Sequence, residues 1–156
     1  MNYPSLYTSL QTITTNTQPM NWNYTQINAN HLYKDLAKDF LEKYAASNTI
    51  GISCTSHYYN SDTLISLHIH QNGTNYLYEL VGHTNFVNAI TTIGIPMLKY
   101  HTIVHTSQPV GKKCVMVTFY GYAEISGRNF QVESTIIFKM VSGSPRIINQ
   151  VINIFL

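Results

Sequence analysis

From Cys114 to Ile125 (CVMVTFYGYAEI) the residues alternate. Val115, Val117, Phe119, Ala123 and Ile125 fall on one face and Cys114, Met116, Thr118, Tyr120 and Tyr122 on the other. Apolar and aromatic bias on both faces predicts a strand covered on both sides, interior to a sheet. Ser126-Gly127-Arg128-Asn129 predicts a turn into a strand over Phe130–Met140 (FQVESTIIFKM), and Ser142-Gly143-Ser144-Pro145 a turn into Arg146–Leu156 (RIINQVINIFL). Together they read as an antiparallel meander.

Upstream the period changes. Tyr33, Ala37, Phe40 and Tyr44 recur at i, i+4, i+7 and i+11, with Leu36 and Leu41 widening the stripe and Lys34, Asp35, Lys38, Asp39, Glu42 and Lys43 opposite it. This predicts an amphipathic helix over about 31–46, capped by Asn28 or Asn30 and laid across a curved sheet. Ser47–Asp62 has no sustained period and is read as irregular; Ile50, Ile52 and Tyr58-Tyr59 are its only hint of a second helix. Thr63–Gln71 alternates, with Leu64, Ser66, His68 and His70 opposite Ile65, Leu67 and Ile69. Asn72-Gly73 then predicts a type I′ hairpin turn, because both central positions need positive φ, and Tyr76–Val81 returns. Phe86, Val87, Ile90 and Ile93 give a short helix over Thr84–Ile93, stopped by Gly94 and Pro96. Lys99–Ser107 is a further strand, and Gln108-Pro109-Val110-Gly111 leads into the long one.

The predicted order of helix, hairpin, short helix and four antiparallel strands defines one α+β domain over 28–156 whose helices cover a single sheet face. Residues 1–27 read as an extension, with Trp22, the one tryptophan, as an anchor that packs it down. The other face is left bare. Ile137, Val151, Phe155 and Tyr120 or Tyr122 decorate it with apolar groups that a second subunit packed sheet to sheet would cover.

Composition narrows the function classes. Of 156 residues only 10% are charged, the net charge is +2, and 44% are hydrophobic, which excludes a disordered chain and gives no polyanion-binding bias. Twelve tyrosines with abundant Asn and Thr make the polarity largely uncharged, the style of a surface that rests on a partner. Cys54 and Cys114 form neither a zinc motif nor a disulfide framework, so a reducing, intracellular setting is expected. No apolar run approaches the roughly 20 residues of a spanning helix. Asn23-Tyr24-Thr25 and Asn72-Gly73-Thr74 are read as accidental sequons.

Candidate chemistry is sparse. Asp62, His68, His70, Glu79, His83, His101 and His105 are the acid–base inventory. His68 and His70 are expected to share one strand face, and His101 and His105 another, so either pair could ligate a metal, but no third ligand accompanies them. No metal, cofactor or catalytic residue is expected.

Four stretches carry a family resemblance: DFLEKY (Asp39–Tyr44) in the first helix, LVGHTNFVNAI (Leu80–Ile90) at a strand-Gly-helix junction, Thr106-Ser107-Gln108-Pro109 before the long strand, and FQVESTIIFKM followed by a strand ending in Ile154-Phe155. Over about residues 31–156 the chain resembles the nuclear transport factor two-like family, the cone-shaped α+β fold shared with ketosteroid isomerase and scytalone dehydratase. The resemblance implies a non-enzymatic transport factor of nucleus, cytoplasm and nuclear pore. Such a protein binds Phe-Gly repeat nucleoporins in shallow grooves, as a dimer or as the small subunit of a messenger-RNA export heterodimer. Tyr33, seven residues before Phe40, falls where the import carrier has a groove-forming Trp, and Tyr120, Tyr122, Ile137 and Val151, on the bare face, are expected near the subunit interface. The carrier's acids that hold Ran are missing from the hairpin His70-Gln71-Asn72-Gly73-Thr74-Asn75, and the later turn offers only Glu124, which disfavours Ran-GDP import. A scaffold or peptide-binding domain and a small cavity enzyme, an isomerase or dehydratase, are the other readings the fold implies.

Overall fold

The computed structural model describes residues 32–156; the proposed extension 1–27, its Trp22 anchor, the Asn28 or Asn30 cap and the Asn23 sequon lie outside them. The helical stripe becomes the buried side of α1 (Leu32–Ile50), with Tyr33, Ala37, Phe40, Leu41 and Tyr44 all in the core. This helix runs past the expected end at 46 because its last carbonyls find partners. Asn48 Nδ2 donates to Tyr44 O at 3.0 Å, Thr49 Oγ1 donates to Ala45 O at 3.1 Å, and the Leu98 N–H donates to Asn48 O at 3.1 Å.

The stretch read as irregular is ordered. Its middle is a 3₁₀ helix, Ile52–Tyr58, whose buried residues Ile52, Thr55 and Tyr58 are spaced by the three-residue turn. Strand β1 (Tyr59–Gln71) then starts four residues earlier than the alternation indicates, since Tyr59 already pairs with Ile147. The hairpin partner is β2 (Thr74–Val81), followed by α2 (His83–Ile93), β3 (Lys99–Pro109), β4 (Cys114–Ile125), β5 (Arg128–Val141) and β6 (Ser144–Phe155).

The described strands form one sheet in the order β2-β1-β6-β5-β4-β3, which makes β4 an interior strand as expected. Every pairing is antiparallel except β1 with β6, a parallel junction that joins the hairpin to the meander. The two meander turns are tighter than four residues. Ser126 and Gly127 have φ of 52° and 79°, and Ser142 and Gly143 have 51° and 80°, matching Asn72 and Gly73 at 52° and 76°. Positive φ at both central positions suits the sheet twist, so Arg128-Asn129 and Ser144-Pro145 belong to strands.

α1 packs on β3 and β4, and Phe40 stacks on Phe138 of β5 with ring centroids 4.5 Å apart. α2 buries Phe86 and Ile90 against β1, β2 and the 3₁₀ helix. It follows Gly82, whose φ of 82° and closeness to the Ser61 carbonyl leave no room for a side chain. Sheet and helices together enclose one core on one face of the sheet.

Candidate functional site

Where α1 crosses the sheet the interior is polar, and the polarity comes from residues far apart in sequence. The Tyr59 hydroxyl donates to Gln150 Oε1 at 2.6 Å, Gln150 Nε2 donates to the Tyr44 hydroxyl at 2.9 Å, and the two tyrosine oxygens lie 3.1 Å apart. With Tyr59 committed as donor to Gln150, Tyr44 donates to Tyr59, and the three groups close a ring in which each gives and receives one bond. Gln150 Nε2 also donates to Ser134 Oγ at 3.4 Å, and the Ser134 hydroxyl donates to Val151 O at 3.0 Å. Burial pushes the Tyr44, Tyr59 and Tyr100 hydroxyls above the ordinary phenol range, so the cluster is neutral. Tyr100 keeps its enclosed hydroxyl without a hydrogen bond.

Carboxylates stay away from this interior, and two histidines border it. No Asp or Glu among the described residues is buried, and Asp62 is exposed. His83 contacts Thr55 Oγ1 at 3.0 Å and Ile52 O at 3.2 Å and packs on the Tyr59 ring; burial lowers its pKa. His105 is half-buried with Nδ1 unbonded, its pKa lowered by burial and then by the Lys38 ammonium.

The expected histidine pairs do not make metal sites. His70 has both ring nitrogens engaged, with Asn75 Oδ1 at 2.8 Å and Asn153 Oδ1 at 3.0 Å, and it stacks on Phe155 beside His68. His101 and His105 do not share a face, which corrects the alternation reading. A bulge between Tyr100 and Thr102 shifts the register, leaving His101 on Glu124 at 3.3 Å while His105 pairs with core-facing Phe119. No group of three His, Cys, Asp or Glu side chains among the described residues could hold a metal.

The opposite sheet face is built from register partners, which project to the same side. One row runs Val81, Leu64, Asn149, Ile137, Met116 and Gln108; the next Glu79, Ser66, Val151, Thr135, Thr118 and Thr106; the third Leu77, His68, Asn153, Glu133, Tyr120 and Val104. Among these, Leu64 is 53% exposed, Leu77 56%, Val81 50% and Val151 41%. Leu64, Val81 and Val151 edge a shallow depression of about 240 Å³. Of the four residues expected at an interface, Val151 and Tyr122 are exposed and Ile137 is half-buried. Tyr120 is enclosed, its hydroxyl donating to Tyr122 at 3.2 Å. Tyr33, expected to line a repeat groove, is 2% exposed and packed in the core. Sequence reasoning missed Leu64, Leu77 and Val81, although the alternation of β1 had already set Leu64 apart from Ile65 and Leu67.

No family model matches the chain. It is 22% identical over 135 residues, 83% of its own length and 68% of the other's, to an uncharacterized protein of Acanthamoeba polyphaga mimivirus. Among solved structures, the Candida albicans Mtr2–Mex67 M domain complex superposes with a TM-score of 0.61 at 11% identity, covering 79% of this chain and 94% of that one. Nuclear transport factor 2 from Cryptosporidium parvum gives 0.59 at 13% identity, covering 78% and 94%. The chain has the nuclear transport factor 2-like fold. Yeast Bre5, the Ubp3-associated protein, shares it with a TM-score of 0.56 at 20% identity over 78% and 95% of the two chains. A ketosteroid isomerase-like protein from Parabacteroides distasonis gives 0.53 at 15% identity over 74% and 83%. The fold therefore serves transport factors and isomerase-like proteins alike, and function must be argued from this chain's own surfaces.

Proposed function

We propose that this chain acts by binding, not catalysis. Its domain, residues 28–156 after an extension of 1–27, pairs through the bare sheet face with a second subunit of the same fold, either a copy of itself or a larger related chain, and the pair serves nucleocytoplasmic transport by touching Phe-Gly repeats. The observation that carries the pairing is the cluster of Leu64, Leu77, Val81 and Val151 on a sheet face that no described helix covers, extended by Tyr122 toward β3. Burying half-exposed aliphatic groups of this size gains roughly 1 kcal/mol each, and the uncharged Asn, Ser and Thr between them cost little to desolvate when paired. The transport role draws support from the likeness to the Mtr2–Mex67 complex and to nuclear transport factor 2. Against an enzyme stands the interior, where Tyr44, Tyr59 and Gln150 satisfy one another and, among the described residues, no carboxylate is buried. Ran import is disfavoured further because Glu124, the acid near the later turn, already faces His101.

Sedimentation velocity at high micromolar concentration tests the pairing. The wild type is expected as a dimer and the Leu64→Asp/Val151→Asp variant as a monomer of unchanged circular dichroism. Immobilised Phe-Gly repeat peptides test the second part, with weak, rapidly reversible retention expected. A wild-type chain that stays monomeric and passes the repeat column unretained overturns the reading.

A further inference from the structure

A second surface lies at the end of the meander, where the β3–β4 and β5–β6 turns come together. A groove of about 430 Å³ opens between α1 and the β5–β6 turn, with Leu36, Phe40, Tyr58, Met140 and Pro145 as its apolar lining. Beyond Met140 a depression of about 470 Å³ begins, and its polar lining is Lys112, Lys113 and Lys139. Met140 borders both, so the two adjoin at this side chain, the first contributing its apolar groups and the second three lysines.

The charge arrangement there is unusual for so charge-poor a chain. Four of its nine Lys and Arg residues, Lys112, Lys113, Lys139 and Arg146, gather at this end. Lys139 and Arg146 stand directly opposite each other in the β5–β6 register, a like-charge placement that weakens the sheet. None of the four has an ion pair among the described residues. Asp39, the acid in the apolar groove, is held by Lys43 at 3.0 Å. The lysine turn is fixed in place, since the Met140 N–H donates to Lys113 O at 2.9 Å. A cluster of cations without ion pairs beside an apolar groove complements an anionic ligand with one apolar group.

We infer that this surface binds an acidic peptide segment anchored by one bulky apolar side chain, which enters the groove beside Met140 while the flanking carboxylates meet Lys112, Lys113 and Lys139. A nucleic acid fits less well, because Phe40 and Tyr58 are 1% and 5% exposed and offer no open ring face for a base to stack on. Leu64 and Val151, which carry the pairing, line neither depression, so the two readings are tested separately.

Fluorescence anisotropy with a labelled Glu-Asp-Glu-Phe-Asp-Glu peptide tests the inference on the full chain. Saturable binding is expected, weakened about tenfold or more by Lys112→Glu/Lys139→Glu, by Met140→Glu, by Phe→Ala in the peptide, and by added salt. The two lysines are exposed, so the fold should survive their reversal, with circular dichroism as the check. The Leu64→Asp/Val151→Asp variant should bind as the wild type does. Equal affinity for the Gln/Asn version of the peptide, indifference to the Lys→Glu pair, or tighter binding of an oligouridylate of similar length would overturn the inference.

Discussion

Replacing Gln150 by Leu removes the one side chain that joins Tyr44, Tyr59 and Ser134, and does so without leaving a large void. The Tyr59 proton loses its 2.6 Å acceptor inside the core, and Tyr44 loses the 2.9 Å amide donor. A buried donor left without a partner costs about 1–3 kcal/mol, and a weakened acceptor about 1 kcal/mol. Burying an aliphatic group in place of an amide returns about 1 kcal/mol. The net loss is about 1–3 kcal/mol, which for a domain of this size lowers Tm by about 2–4 °C per kcal/mol. Urea unfolding followed by far-UV circular dichroism measures it, and an unchanged slope shows that stability alone has moved. Adding Tyr59→Phe deletes the orphaned proton, so the double variant should be less destabilised than the sum of the two singles, with a coupling of about 1 kcal/mol or more. A Gln150→Leu protein as stable as the wild type, or a strictly additive cycle, would refute the closed ring.

Three further outcomes follow from the same structure. Gly82→Ala should cost more than Gly73→Ala, although both glycines have positive φ, because a Cβ at Gly82 would sit 2.9 Å from the Ser61 carbonyl oxygen while Gly73 faces open space. About 1 kcal/mol is expected at Gly73 and at least about 2 kcal/mol at Gly82, read from denaturant midpoints. Leu67→Ala, at a fully buried position of β1, should lose about 2–5 kcal/mol in the same assay. His83 and His105 have folded pKa values below the ordinary value of 6.5, so the unfolded chain binds more protons as the pH falls through that value. Stability should therefore be full above about pH 6.5 and decline on acidification toward the folded pKa values, and a His83→Gln variant should show a shallower decline over that window in thermal melts.

Most of the secondary structure was written locally. A period of two set Ile65, Leu67 and Ile69, all buried, apart from exposed Leu64, a period near 3.6 aligned Tyr33 with Tyr44, and Asn72-Gly73 specified its turn through backbone sterics alone. Each of these depends on residues within a turn or a strand of one another. That no described helix covers the meander's outer face also followed from counting the predicted helices. Other features have no local trace. The 3₁₀ helix is too short for its three-residue spacing to stand out, and the β3 bulge inserts a residue that silently exchanges the faces of His101 and His105. The parallel pairing of β1 with β6, the polar ring linking Tyr44 to Gln150 across 106 positions, and the meeting of the Lys112–Lys113 turn with Lys139 arise only when distant segments share one sheet and one core. Periodicity records which side of an element faces inward. Which partners meet there depends on chain closure over long separations, and only the tertiary structure decides that.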